Sequence, residues 1–224
     1  MTIRSIALVI GLCLPLAAWA DPVRLLAFGD SLTAGYGLPA EDGLVPQLQG
    51  WLRGRGHDVE VLNAGVSGET TADGVSRIKQ DLEKHAPDAV IVELGGNDLL
   101  RGTAPGKAAR NLDFIMKQAG DGDRPLLLVG IALPDSDNPQ GRTWAAIWPR
   151  LARVHDALLL ENLYAPFFAL PKPEMLTMLQ PDKLHPSSAG VKAIVVELGP
   201  KVEELIDRVE AQNAVQVPQS ASLN

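Results

Sequence analysis

Acyl transfer needs a hydroxyl nucleophile, a base to take its proton and a group that orients the base. Ser31 stands in the phrase Gly29-Asp30-Ser31-Leu32, directly after the apolar run 23–28, and Asp182 and His185 stand three residues apart near the opposite terminus. That spacing lets one short loop present both. Asp182 would accept from one ring nitrogen of His185, leaving the other free to deprotonate Ser31. Two further phrases, Gly65-Val66-Ser67-Gly68-Glu69-Thr70 and Gly95-Gly96-Asn97-Asp98, each follow another apolar run. The backbone N–H groups of Ser31 and Gly68, with the Asn97 side-chain amide, would converge where a carbonyl oxygen becomes negative and so form an oxyanion hole.

Such a site needs elements that bring four distant phrases to one place. Apolar runs recur at 23–28, 59–63, 89–94, 126–133 and 157–162, without strict alternation. This suits strands of a parallel sheet covered on both faces. Between them, 44–53, 71–85, 105–119 and 143–155 carry helical spacing, and a last helix begins near Ser187. Alternation of strand and helix predicts an α/β fold with a five-stranded parallel sheet. In such sheets ligands bind beyond the carboxyl ends of the strands. Ser31, Gly68 and Asn97 follow the first three runs and fall on that edge. His57, His85 and His155 precede runs and fall on the opposite edge, which leaves His185 as the base.

Several chemistries lack support. Asp182 and His185 by themselves fall short of a metal site, and no HExxH or acidic cluster accompanies them. Gly35-Tyr36-Gly37 is not completed into a phosphate loop and there is no GxGxxG, so neither metal nor cofactor is expected. Residues 1–20 combine Arg4, the apolar stretch 5–16 and Ala18-Trp19-Ala20, the pattern of a cleaved secretory signal. A retained anchor would need roughly 20 apolar residues, more than this stretch offers. Lipidation at Cys13 is disfavoured by Leu12, where processing wants a small residue. The lone cysteine leaves with the signal, excluding disulfides and thiolate catalysis from the mature chain. A net charge of -7, without a lysine-rich stripe, argues against nucleic acid. Residues 21–210 are read as one domain, with Pro200 expected to break or kink the last helix, and 211–224 as a disordered polar tail.

The four phrases, with Asn63-Ala64 ahead of the second and Leu99-Leu100-Arg101-Gly102 after the third, resemble the blocks of the SGNH, or GDSL-type, hydrolase family, in particular its secreted bacterial arylesterase and thioesterase/lysophospholipase branch. The resemblance implies a flavodoxin-like three-layer α/β/α sandwich, Ser31 as nucleophile, His185 as base, Asp182 as orienter, and Ser31, Gly68 and Asn97 as oxyanion donors. It further implies an acyl groove bordered by Leu99, Leu100, Arg101, Gly102 and Thr103 and by Leu133 and Pro134. The expected enzyme is a periplasmic or secreted monomer. It cleaves carboxylic esters, with thioesters and lysophospholipids as further candidates, touches lipid only transiently and has no integral membrane segment once mature. A carbohydrate O-acetylesterase is the alternative enzyme, and a non-catalytic ligand-binding protein the alternative of another class.

Overall fold

The computed structural model describes residues 21–132 and 138–216. In chain order the elements are β1 (Val23–Gly29), α1 (Ser31–Ala34), α2 (Leu44–Gly54), β2 (Val59–Gly65), α3 (Thr71–His85), β3 (Ala89–Glu93), α4 (Gly96–Leu100), α5 (Pro105–Ala119), β4 (Leu126–Val129), α6 (Pro139–Ala145), α7 (Ile147–Val154), β5 (Leu158–Leu160), α8 (Ala165–Phe168), α9 (Lys172–Thr177) and α10 (Ser188–Gln216). The strands pair in parallel in the order β2-β1-β3-β4-β5. This is the flavodoxin-like order, in which the chain leaves β1 first to one side and then to the other.

Burial follows position in the sheet. β3 and β4, with neighbours on both sides and helices above and below, are buried at every residue. The edge strand β2 alternates, Val59 and Val61 turning inward while Glu60 and Leu62 are partly exposed. α2 and α10 pack together on one face, and α3, α5 and α7 on the other, giving three layers. The apolar faces read from the sequence point into this core: Leu48 and Leu52 of α2, Ile78 of α3, and Leu112, Ile115 and Met116 of α5 are all buried.

Some boundaries differ from the sequence reading. The helical stretch 143–155 is two helices, α6 and α7, meeting at Ala146, and α6 starts earlier because Asn138 caps the Gly141 amide and Pro139 fits the first turn. α8 and α9 are too short to show a periodicity. Pro200 does not break α10, whose single span runs from Ser188 to Gln216. Pro200 lies on the solvent side, so the carbonyl of exposed Val196 that its missing N–H leaves unbonded can be hydrated. The same helix continues past 210 to Gln216, and Gln212 donates to the Asp123 carbonyl at 2.9 Å. The signal assigned to 1–20 and the end of the tail, 217–224, lie outside the described residues.

Candidate active site

The carboxyl ends of all five strands open on one cavity of about 290 Å3. Ser31 follows β1, Ser67 and Gly68 follow β2, Gly96 and Asn97 follow β3, Ile131 follows β4 and Tyr164 follows β5; Leu184 and His185 close the circle from the segment before α10. Gly29 ends β1 because the turn at Asp30 and Ser31 leaves no space for a side chain there. A Cβ would stand 2.0 Å from Thr33 Oγ1 and 2.7 Å from Glu93 Oε2. Asp30 then caps α1 by accepting from the Leu32 amide at 3.1 Å, and Gly35 ends the helix in a left-handed conformation with φ 78°. The result is a single helical turn with Ser31 at its start, its hydroxyl facing the cavity.

His185 Nε2 lies 2.9 Å from Ser31 Oγ, and His185 Nδ1 lies 2.6 Å from Asp182 Oδ2. The second Asp182 oxygen accepts from the Leu184 and His185 amides at 2.9 and 3.0 Å, so the loop wraps its own carboxylate. Burial alone would raise the Asp182 carboxyl, but the bond from the His185 ring and those from the two amides outweigh it and hold it below the usual range. The loop is tied to its surroundings by Gln180, which donates to the Tyr36 and Pro186 carbonyls, and by the Tyr164 hydroxyl, which donates to the Leu184 carbonyl at 2.9 Å. Burial, reinforced by the charges of Glu93, Asp30 and Asp182, pushes the Tyr164 hydroxyl well up, so it remains a donor. The Tyr36 ring lies against the imidazole, centroids 4.7 Å apart.

The amides of Ser31 and Gly68 have no acceptor among the described residues, and Gly68 takes φ 84°, which favours glycine. Asn97 Nδ2 reaches the same cavity but has two acceptors, Asp30 Oδ2 and the Glu69 carbonyl, both at 3.0 Å. An oxyanion would therefore share or replace one of them. Asp30 and Glu93 are 3% and 2% exposed, and Glu93 accepts from Thr33 Oγ1 at 2.8 Å through one oxygen while the other has no partner among the described residues. Burial first, then the Asp30 charge, pushes the Glu93 carboxyl well above its ordinary value. Burial raises Asp30 as well, against the opposing bonds from Leu32 and Asn97.

Because the folded state holds the Glu93 proton more tightly than the unfolded state, its contribution is intact below about pH 4.3, the ordinary glutamate value, and is lost as pH rises towards the folded one. Glu93→Gln, a neutral isostere, should therefore gain in melting temperature over the wild type as pH is raised from about 4 to 8. A constant difference across a melting series in that range would mean Glu93 is ionised in the fold.

Of the groove residues expected from the sequence, Leu100 lines the cavity and is 50% exposed. Leu99 packs against the core instead. Arg101 donates to the Gly68 carbonyl at 2.7 Å, holding the loop that carries Gly68, and Gly102 turns the chain with φ 68° away from the cavity lining. Leu133 and Pro134 lie outside the described residues. Tyr36, Ile131, Tyr164 and Leu184 were missed as lining residues, although two of them follow strands and so obey the rule that identified Ser31 and Asn97. Beside the cavity, a second apolar hollow of about 190 Å3 shares Tyr164 and Leu184 with it and extends to Phe168, Met175 and Leu176. Two of the other histidines do structural work: His57 meets Glu203 and His155 meets Asp113, each at 2.9 Å. No group of three or more metal-ligating side chains occurs among the described residues.

Comparison with known proteins places the chain among enzymes. A profile of the GDSL-like lipase/acylhydrolase family matches residues 27–193. The arylesterase of Vibrio mimicus is 36% identical over 188 residues, 82% of this chain and 90% of that one. The thioesterase 1/protease 1/lysophospholipase L1 of Escherichia coli K12 is 33% identical over 192 residues, 85% and 88% of the two chains. The crystal structure of TesA superposes with a TM-score of 0.74 at 32% identity, covering 81% of this chain and 99% of that one.

Proposed function

The chain belongs to the GDSL-like lipase/acylhydrolase family and is a serine ester hydrolase, and on that premise we propose that it works through an acyl-enzyme on Ser31. The observation that carries this is the continuous chain Ser31 Oγ, His185, Asp182 at the wall of an apolar cavity. His185 Nε2 takes the Ser31 proton as Oγ attacks the ester carbonyl, and Asp182 stabilises the imidazolium that forms. The amides of Ser31 and Gly68 and the Asn97 side chain receive the negative oxygen. Collapse expels the alcohol, protonated by His185; water, deprotonated by the same ring, then releases the acid.

The substrate class follows from the walls. Leu32, Leu100, Ile131 and Leu184 offer an acyl chain apolar surface, and the neighbouring hollow at Phe168 and Leu176 extends it. We assign the cavity to acyl chains longer than acetyl, with oxyesters, thioesters and lysophospholipids as leaving-group variants of one reaction. No helix among the described residues is long and apolar enough to cross a membrane. With the export signal read at 1–20, the working setting is outside the inner membrane, where lysophospholipids and small esters are more accessible than acyl-CoA; the enzyme acts there as a monomer.

Each methylene that enters such a groove is worth about 0.8 kcal/mol, roughly fourfold in kcat/KM. A p-nitrophenyl ester series from acetyl to palmitoyl should therefore rise with chain length until the cavity is full, and fall silent with Ser31→Ala. A flat profile argues against the groove. A sharp acetyl preference would instead indicate a carbohydrate O-acetylesterase, and no turnover a ligand-binding protein, although relatives named for ester and thioester hydrolysis favour neither alternative.

A further inference from the structure

We propose that Arg77, which does not line the cavity, is a positioning residue that fixes the oxyanion donors relative to Ser31. The proposal rests on the assignment of Gly68 and Asn97 as those donors.

Arg77 projects from α3, and its guanidinium ties the end of β1 to the loop that precedes α3. Its Nη2 donates to the Gly29 carbonyl at 2.9 Å, its Nε to the Glu69 carboxylate and its Nη1 to the Asp81 carboxylate one turn along the helix. The plane lies over the Phe28 ring, 3.9 Å from its centroid. Arg77, Glu69 and Asp81 side chains are 15%, 17% and 18% exposed, so these bonds are little screened by water. A guanidinium holds its donors in a rigid planar fork, which makes it suited to setting the distance between two acceptors.

The two acceptors that matter are on the catalytic loops. Gly29 is the last residue of β1, two before Ser31, and its carbonyl also accepts from the Val66 amide at 3.1 Å. Val66 and Glu69 bracket Gly68 and are joined by a bond from the Glu69 amide to the Val66 carbonyl at 3.2 Å. The turn that carries Gly68 is thus fastened to the Gly29 carbonyl at both ends, at Val66 by backbone and at Glu69 through Arg77. The Glu69 carbonyl in turn accepts from Asn97 Nδ2. One fork therefore sets the spacing of the nucleophile strand, the Gly68 amide and the Asn97 amide. Donors of an oxyanion hole act only if preorganised, so a displacement of the order of 1 Å is felt in turnover and not in substrate binding.

The experiment compares Arg77→Met, Arg77→Lys, Glu69→Met and the Arg77/Glu69 double variant in the full chain. It measures kcat and KM on p-nitrophenyl butyrate, inhibition by an alkylboronic acid and by butyrate, and the melting temperature. Arg77→Met should lose roughly 10- to 100-fold in kcat with KM held within about twofold. Boronate affinity should fall in the same proportion while butyrate affinity stays. Arg77→Lys keeps the charge but not the fork and should recover only part of the loss. If Arg77 acts through Glu69, the double variant is no slower than Arg77→Met, whereas independent roles would multiply. A folded Arg77→Met with wild-type kcat, or losses that multiply in the double variant, overturns the proposal. Where Arg77→Met fails to fold, unchanged kcat in both Arg77→Lys and Glu69→Met overturns it equally. Asn97→Ala separates the premises: full activity there removes the oxyanion assignment itself, while loss there with none at Arg77 removes only the brace.

Discussion

Ser31→Ala should eliminate ester hydrolysis, and His185→Ala should do nearly the same, each lowering kcat by up to about 10^6-fold. The two groups act as a unit. Without the hydroxyl there is no covalent intermediate, and without the ring the hydroxyl at 2.9 Å has no proton acceptor, since Asp182 bonds only to the far nitrogen and its own loop. Residual hydrolysis above the rate in water would come from the oxyanion donors and binding alone. The double variant should be no slower than either single one. The melting temperature should change little for Ser31→Ala, because the hydroxyl is not part of the apolar packing around it. A serine-directed fluorophosphonate should label the wild type and leave Ser31→Ala unmodified. Substantial turnover by a verified Ser31→Ala protein would move the nucleophile elsewhere.

Asn97→Ala should cost about 100- to 1,000-fold in kcat, or roughly 2.7 to 4 kcal/mol of transition-state stabilisation. The loss should appear in kcat and kcat/KM together, with KM little changed, since charge on the carbonyl oxygen exists only after attack. The geometry adds a second effect. Asn97 satisfies Asp30 Oδ2 and the Glu69 carbonyl, so its removal leaves the 3% exposed Asp30 carboxylate short of a donor, at a stability cost of about 1–3 kcal/mol. Kinetics measured well below the lowered melting temperature separate the two. A variant that loses stability but keeps full turnover would leave Asn97 as a structural clamp on Asp30 and take it out of the oxyanion hole.

The division of information between sequence and structure follows from the range of the interactions. Local signals were strong for β1, α3 and α5, where the apolar run 23–28 and the helical spacing of 71–85 and 105–119 are each contained in one short window. Pro200 misled because its effect depends on which way its side of the helix faces. Gln212, past 210, meets Asp123, a residue 89 positions away, a contact that no local window shows.

The same holds at the site. Ser31, Gly68 and Asn97 could be read as candidates because each follows an apolar run, and Asp182 and His185 because one short loop presents both; the structure brings these phrases together. What the sequence by itself determined is the fold class, the edge that carries the candidate site and the five candidate residues that the fold brings together. What only the tertiary structure decided is how those residues are held and what surrounds them. Arg101 supports the Gly68 carbonyl instead of facing the cavity, and Arg77 forks between Gly29 and Glu69. Glu93 lies buried against Thr33 of the turn that carries Ser31, and Tyr36 lies against the imidazole. These are contacts between side chains far apart in the chain, set by packing that no local pattern encodes.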